Sequence, residues 1–550
     1  MAGNTTAGCS QEKIAPNGED NGNDEANTSY MAVNLVSSDI AGTRALEGYE
    51  DGTGKENKVT KVRFYFFNAA GGAIHVKKNK NDSKVNYYDW TPEDDDQSEG
   101  TNEGDDIESK LKAIIVINTA KGDGIPQRIA AVLNPTGLED NSKGLSELKE
   151  VAADYATDDL TSEGKFVMFN SVGGEGKDFS TTFIEDNHLC KTEEDAKKNP
   201  VTIYVERSVA KVRVTLDSKI GFDNDNKLAL KDKDDNSLTV DGEQVYLKLE
   251  GWDLTAETSE GRLIKKINPE WEGSWWYTSY RSFWAINSMK AENQYYNYNS
   301  IDTPFNEGYA LYTNENAQLA SMNSTEGQAK ERTKVILKGK LCKGNGDPFT
   351  IVRHMGVHFA DTESDTESSN LPKLKESILS QLAASGNNYY YKKDNERKPI
   401  DIDDLEIVIA DQKENEDSDN NCYVYAQLTD AAAGKTWYTS LNENEQVVES
   451  TAAMINSTLA NKDIVDRALV WKSGMTYYFY EIKHLENQKG VVRNHIYDTK
   501  VTKITGLGTP VYNPDEIIYP EKPNENDHYI AAKINILSWR IIKDDYELEW

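Results

Sequence analysis

The sequence predicts an all-β protein, mainly strands with a few short helices, in which two tandem β-sandwich domains are followed by a C-terminal tail strand. Three observations carry this. Short segments rich in β-branched and aromatic residues recur along the chain, each bounded by turn formers. They fall into two blocks separated by long polar loops, with two helical patterns among them. The chain then closes on a proline-punctuated spacer and an alternating apolar run that reaches Trp550.

Residues 1–44 form a leading segment. From Ser10 to Asn27 the residues are mostly Asn, Asp, Glu and Gly with almost nothing to bury, which reads as a disordered tether. Met31, Val33 and Leu35 then alternate with Ala32 and Asn34, a short strand. Ser37 to Arg44 is a small, polar stretch ending on one basic residue, which a trypsin-like protease cuts when exposed; a plain loop is the competing reading.

The first sandwich is expected over residues 45–215. Its strand candidates are Val59–Phe67, Ala113–Asn118, Arg128–Leu133, Lys165–Asn170 and Val201–Val214, and Leu145, Leu148, Ala152 and Tyr155 share one face of a helix. Glu93–Asp96 and the Asp/Gly-rich stretch to Asp106 read as a solvated loop. The second sandwich spans 216–505, with strand candidates from Val245 onward through Val335–Leu341, Leu405–Ala410, Tyr423–Leu428, Met475–Ile482 and Val492–Ile504. A helix around Leu374, Ile378 and Leu382 stops at Gly386.

Residues 506–550 are a spacer and a tail strand. Pro510, Pro514, Pro520 and Pro523 favour extended backbone, so the spacer is expected to be a stalk. Beyond it Ile530, Ala532, Ile534 and Ile536 alternate with Ala531, Lys533 and Asn535, and Tyr546, Leu548 and Trp550 alternate with Asp545, Glu547 and Glu549. At roughly 3.3 Å per residue, Tyr529 to Trp550 extends about 70 Å, enough to reach a neighbouring molecule. An ordinary last strand pairing within its own domain is the alternative.

Composition narrows the function. The chain has 550 residues, room for two or more domains, and a formal charge of -32 from 93 acidic and 61 basic residues. Such a surface repels nucleic acid and anionic membrane. Apolar runs such as Val62–Phe67 and Ala113–Ile117 are too short for a membrane helix. Cys9, Cys190, Cys342 and Cys422 are too scattered for a zinc pattern. Cys9 sits in Thr-Ala-Gly-Cys-Ser before the polar tract, like the lipidated cysteine that ends a bacterial lipoprotein signal, although the hydrophobic segment that should precede it is missing.

Catalytic lookalikes fail on specific residues. Thr429-Asp-Ala-Ala-Ala-Gly434-Lys435-Thr436 has threonine where a phosphate-binding loop needs glycine, and Gly173–Lys177 is followed by Asp178 where a hydroxyl is required. His354 and His358 have i, i+4 spacing, but Gly356 lies between them and no glutamate follows the first. Asp223 and Asp225 begin like a calcium loop, then Lys227 takes the next ligand position. No enzyme, cofactor or resident metal is expected. Trp271, Trp275, Trp276, Tyr277, Tyr280, Phe283 and Trp284, followed by Tyr295, Tyr296 and Tyr298, could stack sugars, although core packing is the commoner use of such residues. That cluster supports an alternative reading as a tip or accessory adhesin.

Several stretches in order resemble the fimbrillins, the shaft pilins of Bacteroidales type V pili, and in particular their minor-fimbria branch: Val201-Thr-Ile-Tyr-Val-Glu-Arg207-Ser-Val-Ala-Lys-Val212, Arg128–Pro135, Lys165–Ser171, Tyr280–Ala285, Gly490–Asp498 with Gly506–Tyr512, and the ending Ser538–Trp550. The resemblance implies two transthyretin-like sandwiches, export as a lipoprotein, and maturation by an arginine-specific protease that removes the first strand. Carried onto this chain, Cys9 is the lipidated residue, Arg44–Ala45 the cleaved bond, and Met31, Val33 and Leu35 the removable strand. The groove they leave would then take the tail of another subunit, with Ile530, Ala532, Ile534 and Ile536 or Tyr546, Leu548 and Trp550 filling its pockets. Expected partners are identical subunits head to tail, the protease, accessory, anchor and tip pilins, and a host or bacterial surface receptor.

Overall fold

The computed structural model describes residues 27–38, 52–77, 85–93, 97–99, 107–119, 124–170, 180–265, 293–318, 332–363, 370–394, 396–410, 423–440, 447–484, 489–520, 528–537 and 541–543. Strand dominates them, with a few short helices. In chain order the N-terminal region supplies β1 (Asn27–Ser38), β2 (Val62–Phe67), β3 (Val76–Lys77), β4 (Tyr87–Trp90), β5 (Ile107–Thr119), β6 (Arg128–Leu133), β7 (Met168–Asn170) and β8 (Val201–Arg207).

These strands hydrogen-bond in the order β3-β5-β1-β8-β7-β6-β2-β4. Their inward residues, among them Met31, Val33, Leu35, Phe64, Phe66, Ile115, Ile129, Ile203 and Val205, share one apolar core. Every residue of β2 is buried, including Arg63, whose guanidinium pairs with Asp89 at 2.6 Å, which explains why the strand lacks an alternating polar face. The helix expected over Leu145 to Tyr155 ends at Lys149. Ala152 and Ala153 instead pair as a short strand with Arg262 and Gly261, so sheet pairing overrides the helical spacing there.

Ser208 alone separates β8 from β9 (Val209–Leu216), and the chain passes directly into a second core. The C-terminal region adds β10 (Tyr246–Thr255), β11 (Leu311–Asn314), β12 (Lys334–Cys342), β13 (Thr350–His354), β14 (Val357–Asp361), β15 (Leu405–Ile409), β16 (Tyr423–Leu428), β17 (Ala468–Trp471), β18 (Met475–Glu481), β19 (Ile496–Gly506), β20 (Thr509–Pro510), β21 (His528–Leu537) and β22 (Ile541–Lys543). One sheet runs β11-β9-β19-β21-β22; another runs from Leu228–Ala229 through β10, β12 and β18 to β20. Val212 and Val214 of the first and Leu247, Leu337 and Tyr478 of the second belong to one core, as in a sandwich.

A further core, absent from the sequence reading, lies between β12 and β18. These two strands are direct antiparallel neighbours, Lys334 opposite Glu481 through Lys340 opposite Met475. The chain between them builds the sheet β14-β13-β17-β16-β15, a four-stranded sheet between Tyr389 and Ser450, and helices Pro372–Ala384 and Ala452–Ala460. Leu374, Ile378 and Leu382 pack inward there as their spacing predicts, and Gly386, with φ of 81°, closes that helix.

The expected stalk is not extended away from the body. From Gly506 to Pro520 the spacer lies on the C-terminal sandwich, because it carries apolar residues between its prolines: Val511 and Ile518 are buried beside Tyr298, Ile336 and Tyr477. Backbone bonds run from Val511 N to Met475 O (3.2 Å) and from Ile518 N to Tyr296 O (2.9 Å), and the buried Lys334 ammonium donates to Pro520 O at 2.6 Å. Gly508 permits this approach: its φ is +71°, and a Cβ there would lie 2.3 Å from the Thr476 hydroxyl.

Candidate functional site

The alternation of Met31, Val33 and Leu35 makes β1 a strand, and its position decides what it does. It lies inside the N-terminal sheet, antiparallel to β5 from Asn27 opposite Thr119 to Ser38 opposite Ile107, and parallel to β8 from Val33 opposite Val201 to Ser37 opposite Val205. Met31, Val33 and Leu35 point into the core and are at most 1% exposed. On the other face Ala32 packs with Cys190 and Ala196, the latter on the helix Glu193–Lys198. Tyr30 exchanges two backbone bonds with Cys190, of 2.8 and 2.9 Å.

β5 depends on this strand. Its other described neighbours are short, two residues of β3 and Gln97–Glu99, whereas β1 pairs with nearly its whole length. Without β1, β5 and β8 would each present an unpaired backbone edge to the gap, the condition under which a sheet recruits another strand. At the C-terminal end of β1 the packing is incomplete. A small cavity lies there, lined by Leu35, Val59, Leu111, Leu133, Met168 and Val205 together with Asn57 and Arg207.

Beyond that cavity begins a polar junction between the N-terminal core and the core that follows Ser208. Arg207, at the end of β8, donates from Nε to the Glu56 carbonyl (3.3 Å) and from Nη2 to Asn57 Oδ1. The Glu56 carboxylate is buried, pairs with Lys211 Nζ at 2.9 Å and accepts from the Tyr312 hydroxyl at 2.5 Å. Burial pushes its pKa up, but the Lys211 and Arg207 charges and the Tyr312 and Lys211 hydrogen bonds outweigh this and hold it at about 2, against an ordinary 4.5. Asn494 N donates to Val209 O (2.8 Å) and Lys211 N to His495 O (2.9 Å). The buried Arg493 guanidinium reaches Glu315 (3.2 Å) and the carbonyls of Leu263 (3.0 Å) and Arg262 (2.7 Å). Glu206 and Lys265 form another buried ion pair. The stretches Val201–Val212 and Gly490–Asp498, singled out by resemblance, thus meet at this junction.

The tail's first apolar run forms β21 in its own subunit. Ile530, Ala532, Ile534 and Ile536 oppose Ile504, Val501, Thr499 and Tyr497 of β19. Outside β21 lies β22, paired at three positions from Asn535 opposite Lys543 to Leu537 opposite Ile541. Cys9, Arg44, Ala45, Tyr546, Leu548 and Trp550 fall outside the described residues, as do Trp271, Trp275, Trp276, Tyr277, Tyr280, Phe283 and Trp284. Of the aromatic run that follows, Tyr298 is buried and gives its hydroxyl to Gly339 O at 2.8 Å, a packing role.

The chemical lookalikes resolve into ordinary structure. Thr429 caps the four-residue helix Asp430–Ala433. His354 and His358 are on β13 and β14; the buried His354 ring bonds Ser377 Oγ (2.7 Å) and Asp466 O (3.2 Å). In the calcium-like loop the Lys227 ammonium lies 3.7 Å from Asp223 and 3.4 Å from Asp225, so a fixed cation already neutralises those carboxylates. Among the described residues no cluster of three or more His, Cys, Asp or Glu could hold a metal, and no helix is long and apolar enough to cross a membrane.

Residues 470–545, from the end of β17 through β22, match the family described as major fimbrial subunit protein type IV, fimbrillin, C-terminal. Over that region the chain is similar to the fimbrillins, the subunits of fimbriae. No curated protein matches the sequence. Among solved structures, the chain is similar to a putative cell adhesion protein from Bacteroides eggerthii (9% identity, 94% of this chain and 98% of that one, TM-score 0.37). It is also similar to a fimbrilin from Porphyromonas gingivalis (11%, 92% and 96%, TM-score 0.35) and to the tip fimbrial protein Mfa3 from the same organism (11%, 93% and 100%, TM-score 0.27).

Proposed function

We propose that this protein is the structural subunit of a surface pilus, assembled by strand exchange. In this reading the precursor is exported as a lipoprotein anchored at Cys9, and an arginine-specific protease cuts at Arg44–Ala45. The first strand then gives way to the tail of another subunit. Repeated head to tail the contact does not close on itself, so it grows a filament. Accessory, anchor and tip pilins would complete the fibre, which would support adhesion and biofilm formation through a surface receptor.

The observation that carries the reading is the placement of β1. It is the first strand among the described residues, it fills the gap between β5 and β8, and three of its side chains complete the core. Burial of Met31, Val33 and Leu35 at about 1.5–3 kcal/mol each means that a cut alone does not expel it. The cut instead changes the competition. An attached strand competes at an effective concentration of order millimolar, a detached one at its bulk concentration. A thousandfold drop is worth about 4 kcal/mol, which tips the balance toward an incoming strand that carries its own subunit with it.

The test is to digest purified protein with an arginine-specific protease, then follow it by electron microscopy and on SDS gels. Fibres and heat-sensitive ladders are expected after cleavage, monomer before. Cleaved protein that has lost residues 1–44 and stays monomeric at high concentration would overturn the reading.

A further inference from the structure

The two ends of β1 are held differently, and that difference bears on where exchange starts. At the N-terminal end the fit is tight. Tyr30 is bonded twice to Cys190, and Ala32 is sealed by Cys190 and Ala196. At the C-terminal end three features coincide. The register with β5 slips between Val36 and Ser38, leaving Ser37 without a counterpart in that ladder. Leu35 leaves part of its pocket empty, the cavity lined by Val59, Leu111, Leu133, Met168 and Val205. Arg44 follows six positions after Ser38 in sequence, so a cut there frees this end of the strand.

We propose that the Leu35 cavity is the entry site for the incoming strand, taking an apolar side chain from the tail of a second copy before the rest of β1 is displaced. This rests on the strand-exchange reading above. The backbone bonds from β1 to β8 fall on the same half of the strand, Val33 to Ser37, so the newcomer must break pairing there. It gains room, a slipped ladder and a loose end. A first apolar contact in a preformed pocket holds it in place while it exchanges bonds one by one, and each step replaces a broken bond with a new one. The occupant is apolar because, besides Leu35, five aliphatic or thioether side chains line the space: Val59, Leu111, Leu133, Met168 and Val205. The polar residues of the lining are already engaged, Arg207 with Asn57 and with the Glu56 carbonyl.

The experiment uses the full chain, cleaved by the protease, and reads polymer growth by light scattering beside the melting temperature of the uncleaved form. Val205→Ile and Val59→Ile, each of which adds a methylene to a side chain lining the cavity, are expected to slow growth about tenfold without lowering the melting temperature. In the opposite direction, Leu35→Ala enlarges the pocket and Met31→Ala weakens the other end. Leu35→Ala is expected to speed growth at least threefold more than Met31→Ala for the same loss of melting temperature. Equal acceleration by the two, or unchanged growth in the filled variants, would overturn the entry site while leaving exchange intact. Absence of growth in the cleaved parent protein would instead remove the exchange reading itself. Should a filled variant fail to fold, the Leu35→Ala and Met31→Ala pair still decides.

Discussion

Strands β1 and β21 are both near a chain end and both alternate in apolarity, yet their sheets hold them in opposite ways. β1 lies between two neighbours, with both faces covered, and β5 relies on it for most of its pairing. Among the described residues β21 has one full-length neighbour, β19, and on its other side the three-residue β22. Moving β21 outward breaks one ladder and leaves the β9–β19 pairing in place. Removing β1 opens the middle of a sheet. A strand placed like β21 can leave through local opening, whereas one placed like β1 needs its chain cut and a replacement in hand. In the proposed cycle this fits the donor to the one and the lid to the other.

The largest effect that would sharpen this contrast is at the cut. Arg44→Ala should leave folded, soluble precursor and abolish polymerisation under digestion; fibres from this variant would count against Arg44 as the processing site. Next is the tail. A chain ending at Glu525 should retain the apolar cores described above, so near-UV circular dichroism should change little while elongation stops. Normal fibres from the truncated chain would remove the tail as donor.

Third comes the lid's own hold. Met31→Ala deletes a fully buried side chain, and large-to-small changes of this kind cost about 2–5 kcal/mol. The melting temperature of the uncleaved precursor should fall by several degrees. If it does not move, β1 is not the structural element its burial makes it.

Legibility in the sequence followed the range of the interactions. Met31, Val33 and Leu35 announced a strand because alternation is local, and Gly386 announced a helix end for the same reason. What those strands pair with was not readable. β1 meets β8, more than 160 positions later, and β12 meets β18 across an entire inserted core. The spacer misled for a related reason. Its prolines dominate the local pattern, whereas Val511 and Ile518 matter only through Tyr298 and Ile336 from distant segments. The junction was the least legible part. Glu56 stands in a polar run like any surface acid, and nothing near it in sequence signals that Lys211, Arg207 and Tyr312 will surround it. Only the resemblance of Val201–Val212 and Gly490–Asp498 to one family marked that region, without giving a physical reason.

Two carboxyls in opposite electrostatic settings offer a last, smaller contrast. Glu56 has cations beside it and is held at about 2. Glu257 is raised to about 7, by burial first and by Asp253 and Asp154, with the hydrogen bond from the Tyr296 hydroxyl (3.2 Å) opposing. The signs follow from linkage. A depressed carboxyl contributes stability that is complete above its unfolded value of 4.5 and is lost as pH falls through 2. A raised one contributes stability that is complete below 4.5 and is lost as pH rises through 7. The melting temperature of the precursor should therefore decline on both sides, on the acid limb through Glu56 and between pH 4.5 and 7 through Glu257. Replacing Glu56 by Gln should flatten the first limb at the cost of a lower plateau, because Lys211 and Arg207 lose a counter-charge. Glu257→Gln should flatten the second limb and leave the first alone. Identical profiles for both variants would mean that neither carboxyl sits in the electrostatic setting described.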